Sequence, residues 1–301
     1  MKSLSQQAIE LWSEQVVHWP LANRYYGSLD QVQSREFRLD TTRVLVQFNP
    51  ARIASTAAKT DATSIAERPC FLCDHNRPPE QNAVDAGRYW LLVNPFPIFK
   101  QHFTIPNKEH IPQRILPVFA DFLWFTRELN EFVVFYNGPR CGASAPDHLH
   151  FQAGNKGVLP LIDEYFLRST ADAELLKDIS DARLLRFRKS LRKVFVIESV
   201  TSEAAMILFD ELYHSFPATE GEEPMMNLLG VFESGKWIIF VLPRKAFRPS
   251  QYSAPEPQHL MISPAAIEMA GILITPVEAH FHKINAADIV DIFNQISPDE
   301  P

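Results

Sequence analysis

The sequence predicts an α+β protein assembled from two related units. Three observations carry this. Apolar runs of strand length, Arg43-Val-Leu-Val-Gln-Phe-Asn49, Tyr89-Trp-Leu-Leu-Val93 and Phe132 to Tyr136, alternate with stretches of helical period. A decapeptide, Phe103-Thr-Ile-Pro-Asn-Lys-Glu-His-Ile-Pro112, can be laid on Phe240-Val-Leu-Pro-Arg-Lys-Ala-Phe-Arg-Pro249. The two share Phe, Pro, Lys and the second Pro, and a Trp-led apolar strand (Trp90, Trp237) precedes each. Finally, 301 residues with 46% hydrophobic and 22% charged side chains make an ordinary globular composition, enough for one large domain or two packed ones.

Taken in order, Met1 to Trp19 spaces its apolar residues at helical intervals broken by Glu10, Glu14 and several glutamines, unlike the unbroken apolar run of a signal peptide. Residues 1–40 form a helical and polar lead-in to the strand at Arg43. Ala51 to Arg68 is rich in Ala, Ser and Thr without clear period and reads as a long loop of the functional kind. The strand at Tyr89 is followed by a turn at Asn94-Pro-Phe-Pro97 and a strand near His102 to Ile105. Ile115, Leu116, Phe119, Phe122 and Leu123 then mark a helix within Gln113 to Leu129, before the strand at Phe132. From Leu159 to Phe216 the pattern is helical, including a basic amphipathic piece, Ala182 to Lys193, whose charges make a solvated face. Strands return at Asn227 to Phe232, Lys236 to Leu242 and Gly271 to Thr275. The chain divides into a catalytic half, 1–158, and a degenerate half, 159–301, because Phe247 stands where the first decapeptide has His110.

A formal net charge of -7 argues against general affinity for nucleic acid or acidic membranes and leaves small molecules as partners, with room for a local basic pocket that takes phosphate. No stretch approaches the roughly 18 apolar residues of a membrane helix, so a cytoplasmic location is expected. Two of three cysteines form Cys70-Phe-Leu-Cys73, which in a reducing compartment means metal or redox chemistry. Pro69 before the pair and Asp74-His-Asn-Arg-Pro-Pro79 after it read as a knuckle turn, which favours zinc. Two further ligands are needed, and His75, His102, His110, His148 and His150 are the candidates. The stretch Cys141 to Gly154, CGASAPDHLHFQAG, would as a strand place His148, His150 and Gln152 on one face and Leu149 and Phe151 in the core. The same alternation is also what any half-buried strand shows.

Cys70-Phe-Leu-Cys73, Pro106-Asn-Lys-Glu-His110 and Gly142-Ala-Ser-Ala-Pro-Asp-His-Leu-His-Phe-Gln152 together resemble the histidine-triad superfamily. Within it the chain is similar to the branch whose last triad histidine is glutamine: galactose-1-phosphate uridylyltransferase, diadenosine tetraphosphate phosphorylase and GDP-galactose phosphorylase. The resemblance covers residues 65–155 well and the second half in outline. It implies two histidine-triad-like halves sharing an antiparallel sheet with flanking helices, one of them catalytic. It implies zinc on Cys70, Cys73, His110 and His148, His150 as nucleophile with Gln152 beside it, and phosphate contacts from Asn137 and Ser144. Two departures from the uridylyltransferase pattern are an extra residue between Gly142 and His148, and Phe151 in place of a glycine.

The residue types suit that chemistry. A neutral imidazole can attack an α-phosphorus, the Gln152 amide can donate to a phosphoryl oxygen without titrating, and Gly142 lets backbone approach the phosphate. Arg244, Lys245 and Arg248 either reach a polyphosphate or make a solvated loop, and Arg52 has the same status. Cys141 fills space as a small apolar residue, and His280 and His282 share one surface face of a late helix or turn. The expected activity is nucleotidyl transfer of the phosphorylase type, with inorganic phosphate as acceptor and a nucleoside-diphosphate sugar, GDP-hexose first, as donor. The alternatives are a dinucleoside tetraphosphate phosphorylase and a non-catalytic, zinc-stabilised nucleotide-binding protein. A duplicated chain can supply its own second half, so monomer and homodimer are both compatible.

Overall fold

Two helices, α1 (Leu4–His18) and α2 (Pro20–Gly27), open the chain and lead to a hairpin of β1 (Gln33–Leu39) and β2 (Thr42–Phe48) in the computed structural model, which describes residues 2–57, 61–167 and 172–298. The start of α1 is set by a capping box, Ser3 accepting from the Gln6 amide while the Gln6 side chain takes the Ser3 amide. Two short helices, α3 (Ile53–Thr56) and α4 (Ala62–Glu67), precede the cysteine pair. Then come β3 (Ala83–Ala86), β4 (Tyr89–Val93), β5 (His102–Pro106), α5 (Phe119–Glu128), β6 (Phe132–Asn137) and β7 (His150–Asn155). The sequence of elements repeats after α6 (Pro160–Leu167): β8 (Ala173–Ile179), β9 (Ala182–Phe187), β10 (Phe195–Ser199), α7 (Ser202–Ser215), β11 (Met226–Glu233) and β12 (Lys236–Pro243). The chain closes with α8 (Ala266–Met269), β13 (Ile272–Thr275), α9 (Glu278–Lys283) and α10 (Ala286–Ile296).

The repeat builds one ten-stranded sheet, ordered β3-β4-β5-β7-β6-β11-β12-β10-β9-β8, in which every pairing is antiparallel. Reading outward from the central β6–β11 pair gives the same order on both sides, so β5 corresponds to β10, α5 to α7, and β7 to β12. The fold is therefore α+β and duplicated. The decapeptide comparison nevertheless paired the wrong strands, because Phe103 lies in β5 whereas Phe240 lies in β12, the counterpart of β7.

One face of the sheet is buried under α1, α2, α5 and α7, with Phe103, Phe122, Phe151 and Val241 in this layer and the Phe119 and Phe209 rings stacked at 3.8 Å. The other face is covered by a second sheet, β1-β2-β13, in which β13 runs parallel to β2, and by the closing helices. Phe240, Leu242 and Val196 meet Val44, Val46 and Phe293 there. β12 thus puts Phe240 and Leu242 on the face where β7 carries His150 and Gln152. That substitution of apolar for polar residues is what filled the second half.

Several local expectations are corrected. The lead-in contains a strand, β1, and β3 was not expected. The supposed loop at 51–68 holds a 3-10 turn at Pro50–Arg52 and the helices α3 and α4, the latter capped by Asp61, while residues 58–60 lie outside the described residues. Among the described residues between Leu159 and Phe216 the α-helices are α6 and α7, and residues 168–171 of this stretch lie outside the described residues. The first half of the basic piece is β9: Arg183 pairs with Glu198 at 2.5 Å and Arg186 with Glu174 at 2.7 Å, so neighbouring strands neutralise a pattern that resembled an amphipathic helix. Among the described residues, no helix is long and apolar enough to cross a membrane.

Candidate active site and metal centre

Cys70 and Cys73 form a knuckle closed by the Cys73 amide donating to the Cys70 carbonyl at 3.3 Å. The chain brings His110 and His148 to it, so that one ligand atom from each of the four residues lies within 4.8 Å of the others. The Cys70 sulfur is 3.2 Å from His148 Nδ1, and the Cys73 sulfur 3.2 Å from His110 Nδ1 and 3.6 Å from His148 Nδ1. A tetrahedral zinc ion with ordinary Zn–S and Zn–N bonds needs S···N separations of about 3.5 Å. The outer nitrogens are also placed as a metal site requires: His148 Nε2 donates to the Asn107 carbonyl at 2.8 Å, and His110 Nε2 lies 3.4 Å from Asp147. The residues fit a metal. His75 is exposed and outside this cluster.

His148 precedes the strand, since β7 begins at His150. Its ring turns to the cysteines instead of sharing the β7 face with His150 and Gln152, which corrects the three-residue wall expected from alternation. Its carbonyl takes over another task, accepting His150 Nδ1–H at 2.8 Å. That leaves His150 Nε2 bare and facing the cavity. Burial pushes the ring down to about 4, so it is neutral at physiological pH. Gln113, fully buried, fixes the backbone: its amide donates to the Asn137 and His150 carbonyls at 2.9 and 3.0 Å and accepts the His150 N–H at 2.8 Å. Sequence reasoning missed Gln113, which belongs to no pattern.

Two side-chain amides flank His150. Asn137 Oδ1 accepts from the Asn227 amide at 3.0 Å and the Ala266 N–H at 2.8 Å, so its NH2 end is left for the cavity. Gln152 Oε1 lies 3.1 Å from His102 Nε2, which likewise leaves its NH2 end. Gly142 has φ +95° and packs against Ala265, whose neighbour Ala266 holds Asn137. Ser144 lines the same cavity and its carbonyl accepts from Arg68 at 2.9 Å.

The cavity is about 570 Å3, and its far walls bring in Arg52, Arg68, Arg248 and Glu268. Arg52 donates to the Phe96 carbonyl, and Arg248 to Ser263 Oγ at 2.9 Å. Burial raises the carboxyl of Glu268, whose one oxygen takes the Ala265 N–H at 2.9 Å. Arg244 and Lys245, expected at the substrate, do not line this cavity. Arg244 is buried and bonded to Asn227 Oδ1 at 2.9 Å and to the carbonyls of Pro264, Ala246 and Phe247, which makes it the anchor behind Asn227 and hence Asn137. Lys245 is exposed. Cys141 is fully buried, as expected of a filler. His280 and His282 do not share a face: His280 is buried and accepts the Met261 N–H, while His282 is exposed.

Residues 11–155 match a family described as a domain of unknown function, DUF4922; the match spans the four candidate metal ligands, Gln113, His150 and Gln152. A comparison with curated proteins finds no match. Among solved structures, yeast Ap4A phosphorylase Apa2 in complex with Ap4A aligns with a TM-score of 0.62 at 17% identity, covering 97% of each chain. A second structure of the same yeast enzyme gives 0.53 at 17% identity over 93% of this chain and 94% of that one. The likeness to the yeast enzyme is one of fold. A DUF4931 family protein from Bacillus cereus is looser, with a TM-score of 0.39 at 17% identity over 62% of this chain and 96% of that one.

Proposed function

We propose that the chain is a nucleotidyltransferase of the phosphorylase type, working through a nucleotidyl-His150 intermediate. The observation that supports this best is the setting of His150: a bare Nε2 between the NH2 ends of Asn137 and Gln152, in a cavity that gathers three guanidinium groups. Donors on every side suit a chain of phosphates.

In the first half-reaction, the Nε2 lone pair attacks the α-phosphorus. A P–N bond forms, the anhydride P–O bond breaks, and its electron pair leaves with the polyphosphate or sugar phosphate. The resulting imidazolium keeps its Nδ1–H on the His148 carbonyl. In the second, an oxygen of inorganic phosphate attacks the same phosphorus, the P–N bond breaks, and a nucleoside diphosphate departs from neutral His150. Gln113 holds the backbone at His150 through both steps. Asn137 and Gln152 donate to the non-bridging oxygens without a proton to lose. Zinc on Cys70, Cys73, His110 and His148, when bound, supplies a structural cross-link that fixes His148 and with it the carbonyl orienting the nucleophile.

A dinucleoside tetraphosphate is the first substrate, because three guanidinium groups suit a long phosphate chain and the full-length likeness is to an Ap4A phosphorylase. A second reading, GDP-hexose, draws on Glu268, a carboxylate in the cavity wall able to accept from a sugar hydroxyl. The second half provides Ser263, Ala265 and Glu268 to the cavity, which supports a site built within one chain. The three free cysteines suit the reducing cytoplasm.

The test is phosphorolysis of Ap4A and of ADP-, GDP- and UDP-hexoses with labelled inorganic phosphate. Labelled nucleoside diphosphate is expected, and α-labelled donor without phosphate should leave acid-labile, base-stable label on the chain but not on His150→Ala. No labelled product from any donor, with no label on the protein, rules the reading out.

A further inference from the structure

Gln152 can serve as a donor only if its NH2 end faces the cavity, and nothing in an amide's shape decides which end does. The decision is made one hydrogen bond away. His102, at the start of β5 and fully buried, receives the Ile98 N–H on Nδ1 at 3.1 Å. A backbone N–H can only donate, so Nδ1 is the bare nitrogen and Nε2 carries the proton. That Nε2 lies 3.1 Å from Gln152 Oε1 and must donate to it. The order of bonds runs one way, from the Ile98 N–H through the His102 ring to the carbonyl end of Gln152. The amide NH2 is the end left over.

We propose that His102 is a positioning residue that holds the Gln152 amide with its NH2 group toward the phosphoryl oxygens. It rests on the reading of Gln152 as a phosphoryl donor. Register supports the pairing, since Thr104 of β5 lies opposite Gln152 and His102 opposite Gly154, which has no side chain between the two rows. The ring is held by Phe99 at 5.4 Å and Phe135 at 5.9 Å, and the Tyr26 hydroxyl accepts the His102 N–H and donates to the His102 carbonyl. Burial, and after it the Arg52 guanidinium, hold His102 down to about 3. A protonated ring would have lost the acceptor for Ile98 and gained nothing at Gln152. A neutral ring keeps the relay intact across the working range of a cytoplasmic enzyme.

The experiment has two arms on the full, metal-loaded chain. The first is long-range 1H–15N correlation of the histidine rings, with His102 assigned by its loss in His102→Gln. The neutral Nε2–H tautomer is expected throughout about pH 5 to 9; an Nδ1–H tautomer, or titration in that window, overturns the proposal. The second is a double-mutant cycle on Ap4A phosphorolysis. His102→Leu, without a donor, should lower kcat by about a hundredfold with KM and metal content little changed, and should add almost nothing once Gln152→Ala is present. His102→Gln, whose terminal amide can stand in for Nε2–H, should regain most of that loss. Additive losses, or a His102→Gln variant as slow as His102→Leu, overturn the proposal. A parent chain that turns over no nucleotide defeats the functional reading instead, and the tautomer arm still decides the placement of His102.

Discussion

Gly142→Ala is the perturbation that most directly tests how the loop before His148 is built. At φ +95° the backbone is one that a residue with a β-carbon rarely adopts, at a cost of about 1–2 kcal/mol. The added methyl group would also press on the Ala265 Cβ well inside van der Waals contact and approach its Cα to 3.0 Å. Relieving such overpacking costs about 1–3 kcal/mol more. A total of about 2–5 kcal/mol corresponds to a fall in Tm of about 3–8 °C for a chain of this size. If the loop yields instead of the fold, it must move away from Ala265, and Ala266 then loses its hold on Asn137. Thermal unfolding, metal content and phosphorolysis kcat, measured side by side, separate the two responses. Ala265→Gly in the same chain should recover the steric part and leave the backbone part. A Gly142→Ala protein with the parent's Tm and the parent's kcat would refute this account of the loop.

Other substitutions divide along similar lines. His148→Ala should lose metal and lower thermal stability, whereas His150→Ala should keep both and lose turnover; equal metal loss by elemental analysis in the two variants contradicts the assignment. Arg248→Ala should raise the KM for Ap4A by about tenfold or more with little effect on Tm, while Arg244→Ala, which removes the anchor of Asn227, should lower Tm; the reverse outcome would place Arg244 at the substrate. Burial raises the Glu223 carboxyl from 4.5 to about 7, so the folded chain holds this proton after the unfolded chain has released it. Stability should therefore fall as pH rises from about 4.5 to about 7, by on the order of 3 kcal/mol from this group, and Glu223→Gln should flatten that slope in urea titrations. A parent and variant with the same slope would dismiss it.

What could be read from the sequence follows chemical rarity. Two cysteines separated by two residues and a His-x-His pair have few uses in a reducing compartment, and the four candidate ligands do converge. The strands at Tyr89 and Phe132 were legible because their apolar runs are buried within the large sheet, and α5 because its apolar residues recur on the side that packs against it. β9 was not, since arginines at helical spacing carry no sign of the Glu198 and Glu174 that meet them across strands. The decapeptide matched a strand with a Pro-x-Lys exit, a local trait of β5 and β12 alike, and pairing order is decided by contacts far along the chain. Arg244 stood out by its charge, but its partners are carbonyls and an amide brought together only by the fold. Gln113 is invisible for the same reason.

The parallel pairing of β13 with β2, Ile272 beside Leu45, ties the order of synthesis to the order in which capacities arise. While a chain is being made, everything needed for the metal centre emerges by His148, and the nucleophile two residues later. The wall bearing Ser263, Ala265 and Glu268 emerges near the end, and until β13 follows, one edge of β2 has no neighbour. A nascent or prematurely ended chain would thus carry all four candidate metal ligands and His150 while lacking the surface that fixes Asn137 and completes the cavity. Metal retention is for this reason a poor gauge of intact enzyme in any preparation containing fragments, and nucleotide-dependent protection from proteolysis is the better one.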